Sequence, residues 1–182
     1  MLTGEGARRL KGQGAALPYA LSQGELEAIA AGVRAGGFDP ELMSPEPLPP
    51  EALNPARRQY QSTHIMRHAR RRLEERNLLG ARMLVLTDAD IYEPGLTFTG
   101  GMAELGGKVA LVAVARLQSG DRSRFVSRTV KEGLHELGHV LGLEHCRDPR
   151  CVMLLSRSLA DSDLKEGRFC PKCRVVIGRA IR

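Results

Sequence analysis

The chain has 182 residues and a mass of 19.9 kDa, enough for one domain that buries its own core without disulfides. With 42% hydrophobic and 26% charged residues, and no apolar run long enough to span a bilayer, the composition excludes a membrane span and predicts a monomeric, cytosolic protein with a single domain over residues 1–182. A net charge of +6 and a pI near 9.5 invite a nucleic-acid partner, but aromatics are only 4% and Trp is absent, which removes the stacking platforms that bind single strands.

In chain order, residues 1–14 are Gly- and Arg-rich without periodicity and read as a loosely held extension. Residues 15–21 are a candidate first strand. Ser22 and Glu25 have the spacing of a capping box and open a helix with Leu26, Ile29, Ala30 and Val33 on one face, which Gly36 and Gly37 stop. Residues 44–55 form a proline-rich surface loop. A basic helix follows over residues 58–77, with Ile65, Ala69 and Leu73 inward and Arg67, Arg70, Arg71, Arg72 and Arg76 alternating with Glu74 and Glu75 as on a solvated face. His64 and His68 on it have the spacing of metal ligands, but no Glu follows His64 and no third ligand is in view. Arg67 and Arg71 would also repel a cation, so no metal is assigned there.

Residues 83–86 and 108–115 are apolar and β-rich enough for sheet strands, the second buried on both faces. Residues 96–105 should hold two short strands joined near Gly100 and Gly101. Residues 126–141 then form a helix, and the chain beyond Gly142 should be irregular, because ligands rather than a core must position it.

That helix carries the chemistry. His135-Glu136-Leu137-Gly138-His139-Val140-Leu141-Gly142-Leu143-Glu144-His145 is an H-E-x-x-H-x-x-G-x-x-H run. His135 and His139 stand one helical turn apart, so two imidazoles reach one ion, and Glu136 lies beside them to handle the water that ion binds. Gly142 supplies the left-handed residue that ends the helix, and His145 returns as third ligand with the fourth zinc position open. A buried helix whose histidines merely hydrogen-bond fits one lone histidine better than three at ligand spacing.

All four cysteines follow: Cys146, Cys151, Cys170 and Cys173. Two pairs, one spaced by four residues after Cys146 and one of C-x-x-C form, suit a tetrahedral zinc site in which each pair folds as a knuckle with backbone amides aimed at the thiolates. Two disulfides or four buried thiols are the alternatives; the lack of a signal peptide disfavours disulfides. A four-thiolate zinc and a three-histidine zinc change the formal charge by opposite amounts, so the basic character persists with both sites filled.

With Met153 soon after the histidine motif, the chain resembles the metzincin clan of zinc peptidases, in which a Met-containing turn passes beneath the catalytic metal. The cysteine signature, and the segment Asn54-Pro55-Ala56-Arg57-Arg58-Gln59-Tyr60-Gln61-Ser62, resemble one branch of it, the archaemetzincins. The resemblance implies two zinc ions: a catalytic one on His135, His139 and His145, and a structural one on Cys146, Cys151, Cys170 and Cys173. It implies Glu136 as general base and then acid, and Met153 as the Met-turn. Some clan members place a Tyr ligand two residues past the Met; here that position is Leu155. The clan's antiparallel edge strand above the cleft, where a peptide substrate adds as a further strand, falls on Gly101, Met102, Ala103, Glu104 and Leu105, for which an ordinary edge strand is an equal reading.

The expectation is an α/β zincin-like fold: a twisted mixed sheet with packed helices and a small C-terminal four-cysteine lobe, carrying a peptidase that uses zinc-activated water. The alternatives are a zinc-stabilised binding protein that does not turn over, and a basic zinc module for nucleic acid, which leaves the histidine motif unexplained.

Overall fold

The computed structural model describes residues 21–78 and 80–180. The expectations for residues 1–14, and for a strand at 15–21 apart from Leu21, lie outside them. The element order is α1 (Gln23–Ala35), β1 (Leu53–Asn54), β2 (Gln59–Gln61), α2 (Ser62–Glu75), β3 (Met83–Thr87), β4 (Ile91–Tyr92), β5 (Gly101–Ala103), β6 (Val109–Ala113), α3 (Arg122–Val140), α4 (Leu159–Leu164) and α5 (Pro171–Ala180).

Strands β3 and β6 run parallel in register from Met83 opposite Val109 to Thr87 opposite Ala113, and β5 joins β6 antiparallel as the edge of this sheet. Every residue of β3 and β6 is buried, as befits strands covered on both faces. Period-two alternation divides them. Leu84, Leu86, Ala110 and Val112 pack with Ile29 and Val33 of α1 and Leu137 and Val140 of α3, whereas Met83, Val85, Val109, Leu111 and Ala113 pack with Ile65, Ala69 and Leu73 of α2. A second small sheet, in the order β1-β2-β4, forms around residues 53–61 and 91–92.

The capping box on α1 is formed in both directions, and Gly37 takes φ +100 just past its end. Helix α2 begins at Ser62 rather than residue 58, because Gln59–Gln61 is drawn into the small sheet after a left-handed Arg58. Apart from the exposed Arg67, its arginines and the C-cap Arg76 are paired rather than simply solvated: Arg70 with Glu104, Arg71 with Glu51, and Arg72 and Arg76 with Glu46. The hydrogen bond from Arg72 holds the Glu46 carboxyl below its ordinary value. The proline-rich loop contains a 3-10 turn (Pro50–Ala52) and β1. Residues 96–105 hold one strand, β5; the other segment makes a single bridge, Thr99 with Ile91.

Helix α3 starts at Arg122, four residues earlier than the apolar pattern suggests, because Asp121 caps it by accepting from the backbone N–H of Ser123 and Arg124. Beyond Gly142 the chain is not wholly irregular. Helices α4 and α5 form there, and Cys151, Val152, Met153, Phe169, Cys170, Cys173 and Ile177 build a third core with Leu134 of α3 and Leu141 at its C-cap. Among the described residues no helix is long and apolar enough to cross a membrane.

Candidate active site and thiolate cluster

The end of α3 is a full Schellman turn: Gly142 at φ +87 donates to His139 O at 2.9 Å, and Leu143 donates to Gly138 O at 2.9 Å. That reversal carries His145 back, so the ligand atoms of His135, His139 and His145 lie within 4.8 Å of one another. The three ring centroids are 4.7 to 5.3 Å apart.

Hydrogen bonding fixes the tautomers of the first two rings. A carbonyl oxygen can only accept, so Nδ1–H of His135 donates to Val152 O at 2.9 Å and Nδ1–H of His139 donates to Leu143 O at 2.7 Å. Burial pushes His135 down to about 4 and lowers His139 as well, so both rings are neutral near pH 7. Their Nε2 lone pairs then face each other at 3.1 Å. Two lone pairs at that separation repel, and a shared cation removes the conflict: tetrahedral zinc with metal–nitrogen distances of about 2.0–2.1 Å sets nitrogens about 3.3–3.4 Å apart. The donor set fits zinc.

Glu136 is buried beside this cluster. Burial raises its carboxyl to about 8, Glu132 adds to the rise and Lys165 opposes it. The backbone of β5 lies directly against it, since a Cβ on Gly101 would stand 2.5 Å from Glu136 Oε1. Strand β5 is an edge, without a strand on its outer side among the described residues. Of the five candidate substrate-strand positions, Gly101, Met102 and Ala103 are in β5. Glu104 is committed elsewhere, to Arg70 and to the backbone N–H of Lys108, and Leu105 is exposed at the turn, where Gly106 N–H donates to His139 O at 2.9 Å.

Met153 is fully buried under α3, where a Cβ on Gly138 would collide with its Sδ. Leu155, in place of the Tyr of some clan members, is exposed.

The four cysteines are free thiols and form the second cluster. Sγ of Cys146 lies 3.8 Å from that of Cys170, and Sγ of Cys151 3.8 Å from that of Cys173. Disulfide sulfurs would be about 2.05 Å apart. A zinc tetrahedron with bonds of about 2.3 Å has sulfur–sulfur edges of about 3.8 Å, so these four suit a structural zinc. The Asp148 amide donates to Cys146 Sγ and the Cys173 amide, on the first turn of α5, faces Cys170 as a knuckle requires, while Cys151 takes the amide of Met153 and also that of Cys170 from the other pair.

His64 and His68 are half-buried and join neither cluster; His64 Nδ1 meets Glu51 O. Sequence patterns gave no sign of the Val152 and Leu143 carbonyls, because backbone acceptors carry no side-chain signature. Glu132 was open to detection, since it lies one turn before Glu136 on the same helix face. Lys165 was not, since an isolated Lys is normally solvated.

Residues 54–179 match Peptidase family M54. The archaemetzincin of Methanopyrus kandleri is 40% identical over 135 residues, covering 74% of this chain and 75% of that protein. The crystal structure of the Archaeoglobus fulgidus archaemetzincin complexed with malonate is similar with a TM-score of 0.74 at 35% identity, over 86% of this chain and 94% of that one. The M. kandleri crystal structure gives a TM-score of 0.76 at 29% identity, over 99% and 92%.

Proposed function

The chain belongs to peptidase family M54, the archaemetzincins, zinc-dependent metallopeptidases of the metzincin clan, and we propose that His135, His139 and His145 hold its catalytic zinc with Glu136 as general base. The observation that carries this reading is the pair of opposed Nε2 lone pairs, each fixed by a carbonyl on the far side of its ring. When bound, zinc supplies a water acidified to about pKa 7 and a Lewis acid for the peptide carbonyl.

Glu136, which burial holds close to the operating pH, acts in its ionised form: it accepts the water proton at a carboxylate oxygen and returns it to the leaving amine nitrogen. Its burial beside Gly101 keeps bulk water from competing for that proton. The outer edge of β5 offers backbone amides and carbonyls to an extended peptide, which favours peptide over nucleic acid as the substrate. Met153 supplies the packed floor beneath the histidines. Cys146, Cys151, Cys170 and Cys173 hold a structural zinc, and four thiolates kept for metal suit the reducing cytosol. One chain provides every group, so the protein acts as a monomer with one catalytic domain.

The test is zinc analysis of the native protein followed by digestion of a broad peptide library. About two zinc ions and defined cleavage are expected. A protein that carries both ions and cleaves nothing would be a binding protein on this scaffold.

A further inference from the structure

One face of α3 presents Arg128, Lys131 and Glu132 one and two turns before His135 and Glu136. All three fasten α4. Arg128 makes a bidentate pair with Asp163 at 2.7 and 2.6 Å, and Lys131 Nζ donates to the carbonyls of Ser162 and Asp163 at the helix end. Ser162 Oγ donates to Glu132 Oε1 at 2.8 Å. The next residue past α4, Lys165, is thereby turned inward until its side chain is wholly buried.

There its ammonium meets two partners: Glu132 Oε1 at 3.2 Å and the carbonyl of Leu154 at 3.4 Å. Leu154 directly follows Met153 and bridges to Cys146, the residue after His145. The ammonium thus links the active-site helix to the turn beneath the histidines. Its charge is also felt at His135, Glu136 and His139. A buried cation next to a cation-binding site is an unfavourable placement, and a buried ion pair seldom adds net stability over an apolar pair of similar volume. Stability alone does not account for it.

We propose that Lys165 and Glu132 are a positioning pair for hydrolysis: the ammonium pins the Leu154 carbonyl to α3, holding the Met153 turn and the His145–Cys146 segment in register with His135 and Glu136. This rests on the peptidase reading above.

The test is the double variant Glu132→Leu with Lys165→Met, which removes both charges at similar volume. It is expected to fold with both zinc ions and an unfolding midpoint near that of the parent. For a library peptide that the parent cleaves, KM should stay within about twofold while kcat falls roughly tenfold or more, and a chelator should strip the zinc of the three-histidine site correspondingly sooner. Parent-like kcat and release rate in that variant overturn the proposal. Should the double variant fail to fold with both metals, Ser162→Ala decides: it removes only the hydroxyl that fixes Glu132. A few-fold loss of kcat at unchanged KM and unchanged melting is then expected, and a parent-like kcat overturns the proposal. If the parent cleaves no peptide, the peptidase reading fails, while the zinc release rates still decide the role of the pair.

Discussion

The imidazole of His135 donates through Nδ1 to the carbonyl of Val152 at 2.9 Å, and Val152 stands between Cys151 of the thiolate cluster and Met153, which packs against Gly138 of α3. A single backbone carbonyl therefore sets the ring of one cluster while its neighbour along the chain belongs to the other. Cys146 closes the same loop from the opposite side, following His145 and donating its amide to Met153 O at 2.9 Å. Metal bound at the thiolates constrains both strands of this loop, and with them two of the three histidines.

Cys173→Ala should accordingly do more than lose one metal. With three thiolates the structural zinc loses much of its binding free energy, the third core around Cys151, Val152 and Phe169 loosens, and the remaining zinc should exchange faster because Val152 no longer holds His135 firmly. Zinc content near one per chain and a clearly lowered unfolding midpoint are expected. Unchanged thermal unfolding would count against a structural metal.

His139→Ala should behave in the opposite sense. It removes one ligand of the three-histidine cluster and leaves the thiolates 3.8 Å apart as they were. Metal content should fall from about two to about one with the unfolding midpoint mostly kept, since the lost site contributes less of the packing. Loss of both ions in this variant would contradict two separable sites.

Acid should expose the buried histidines in the metal-free protein. His135 is pushed down to about 4 from 6.5, chiefly by burial, and His139 is lowered too. At pH 7 folded and unfolded chains both leave these rings neutral. As pH falls below 6.5 the unfolded chain binds protons that the folded one resists, so the histidines should cost chelator-treated protein stability progressively down toward about 4. Two carboxyls bear on the window. Glu46, held low by Arg72, weakens only below the ordinary carboxylate range. Glu136, raised to about 8, is protonated in the folded chain but not the unfolded one and adds stability as pH falls. The measurement is therefore made in Glu136→Gln, where the interval from about pH 6.5 to 5 reports the histidines. A flat unfolding midpoint across that interval would contradict their burial as neutral rings.

Much of this arrangement was legible in the sequence because side-chain type and spacing carried it. The capping box of Ser22 and Glu25, the left-handed Gly142, and the His and Cys ligands all announce themselves locally. Strands β3 and β6 were found as apolar runs, but not their parallel pairing, which depends on partners far apart in sequence. Helix α4 has no signature in the chain because it is short and held by polar contacts such as Arg128 with Asp163 rather than by a periodic apolar face, and α5 because its inward stripe is brief and begins with Cys173, which reads as a metal ligand. The inward turn of Lys165 depends on those same contacts, and so it too had no signature in the chain.

Glu136→Gln keeps the shape of the side chain and removes its ability to accept a proton. Both zinc ions and the unfolding midpoint should be retained, while hydrolysis falls roughly 10²–10⁴-fold. Retained turnover, or metal loss like that of His139→Ala, would remove Glu136 from the role of base.

Gly101→Ala tests how β5 and Glu136 work together. The added Cβ would stand 2.5 Å from Glu136 Oε1 and 3.0 Å from its Cδ and Cγ, too close to be absorbed without moving the carboxylate. The glycine is not left-handed, so the substitution strains no backbone torsion and the fold and both metals should survive. Turnover should drop, and the reason can be separated by combining it with Glu136→Gln. If the methyl acts by displacing the base, it removes nothing further once the base is gone, and the two losses are strongly non-additive. If it acts instead by spoiling the edge along which a peptide pairs, KM rises and the losses multiply. The contact with the carboxylate predicts the first pattern, and multiplicative losses in the double variant would assign Gly101 to substrate binding rather than to seating Glu136.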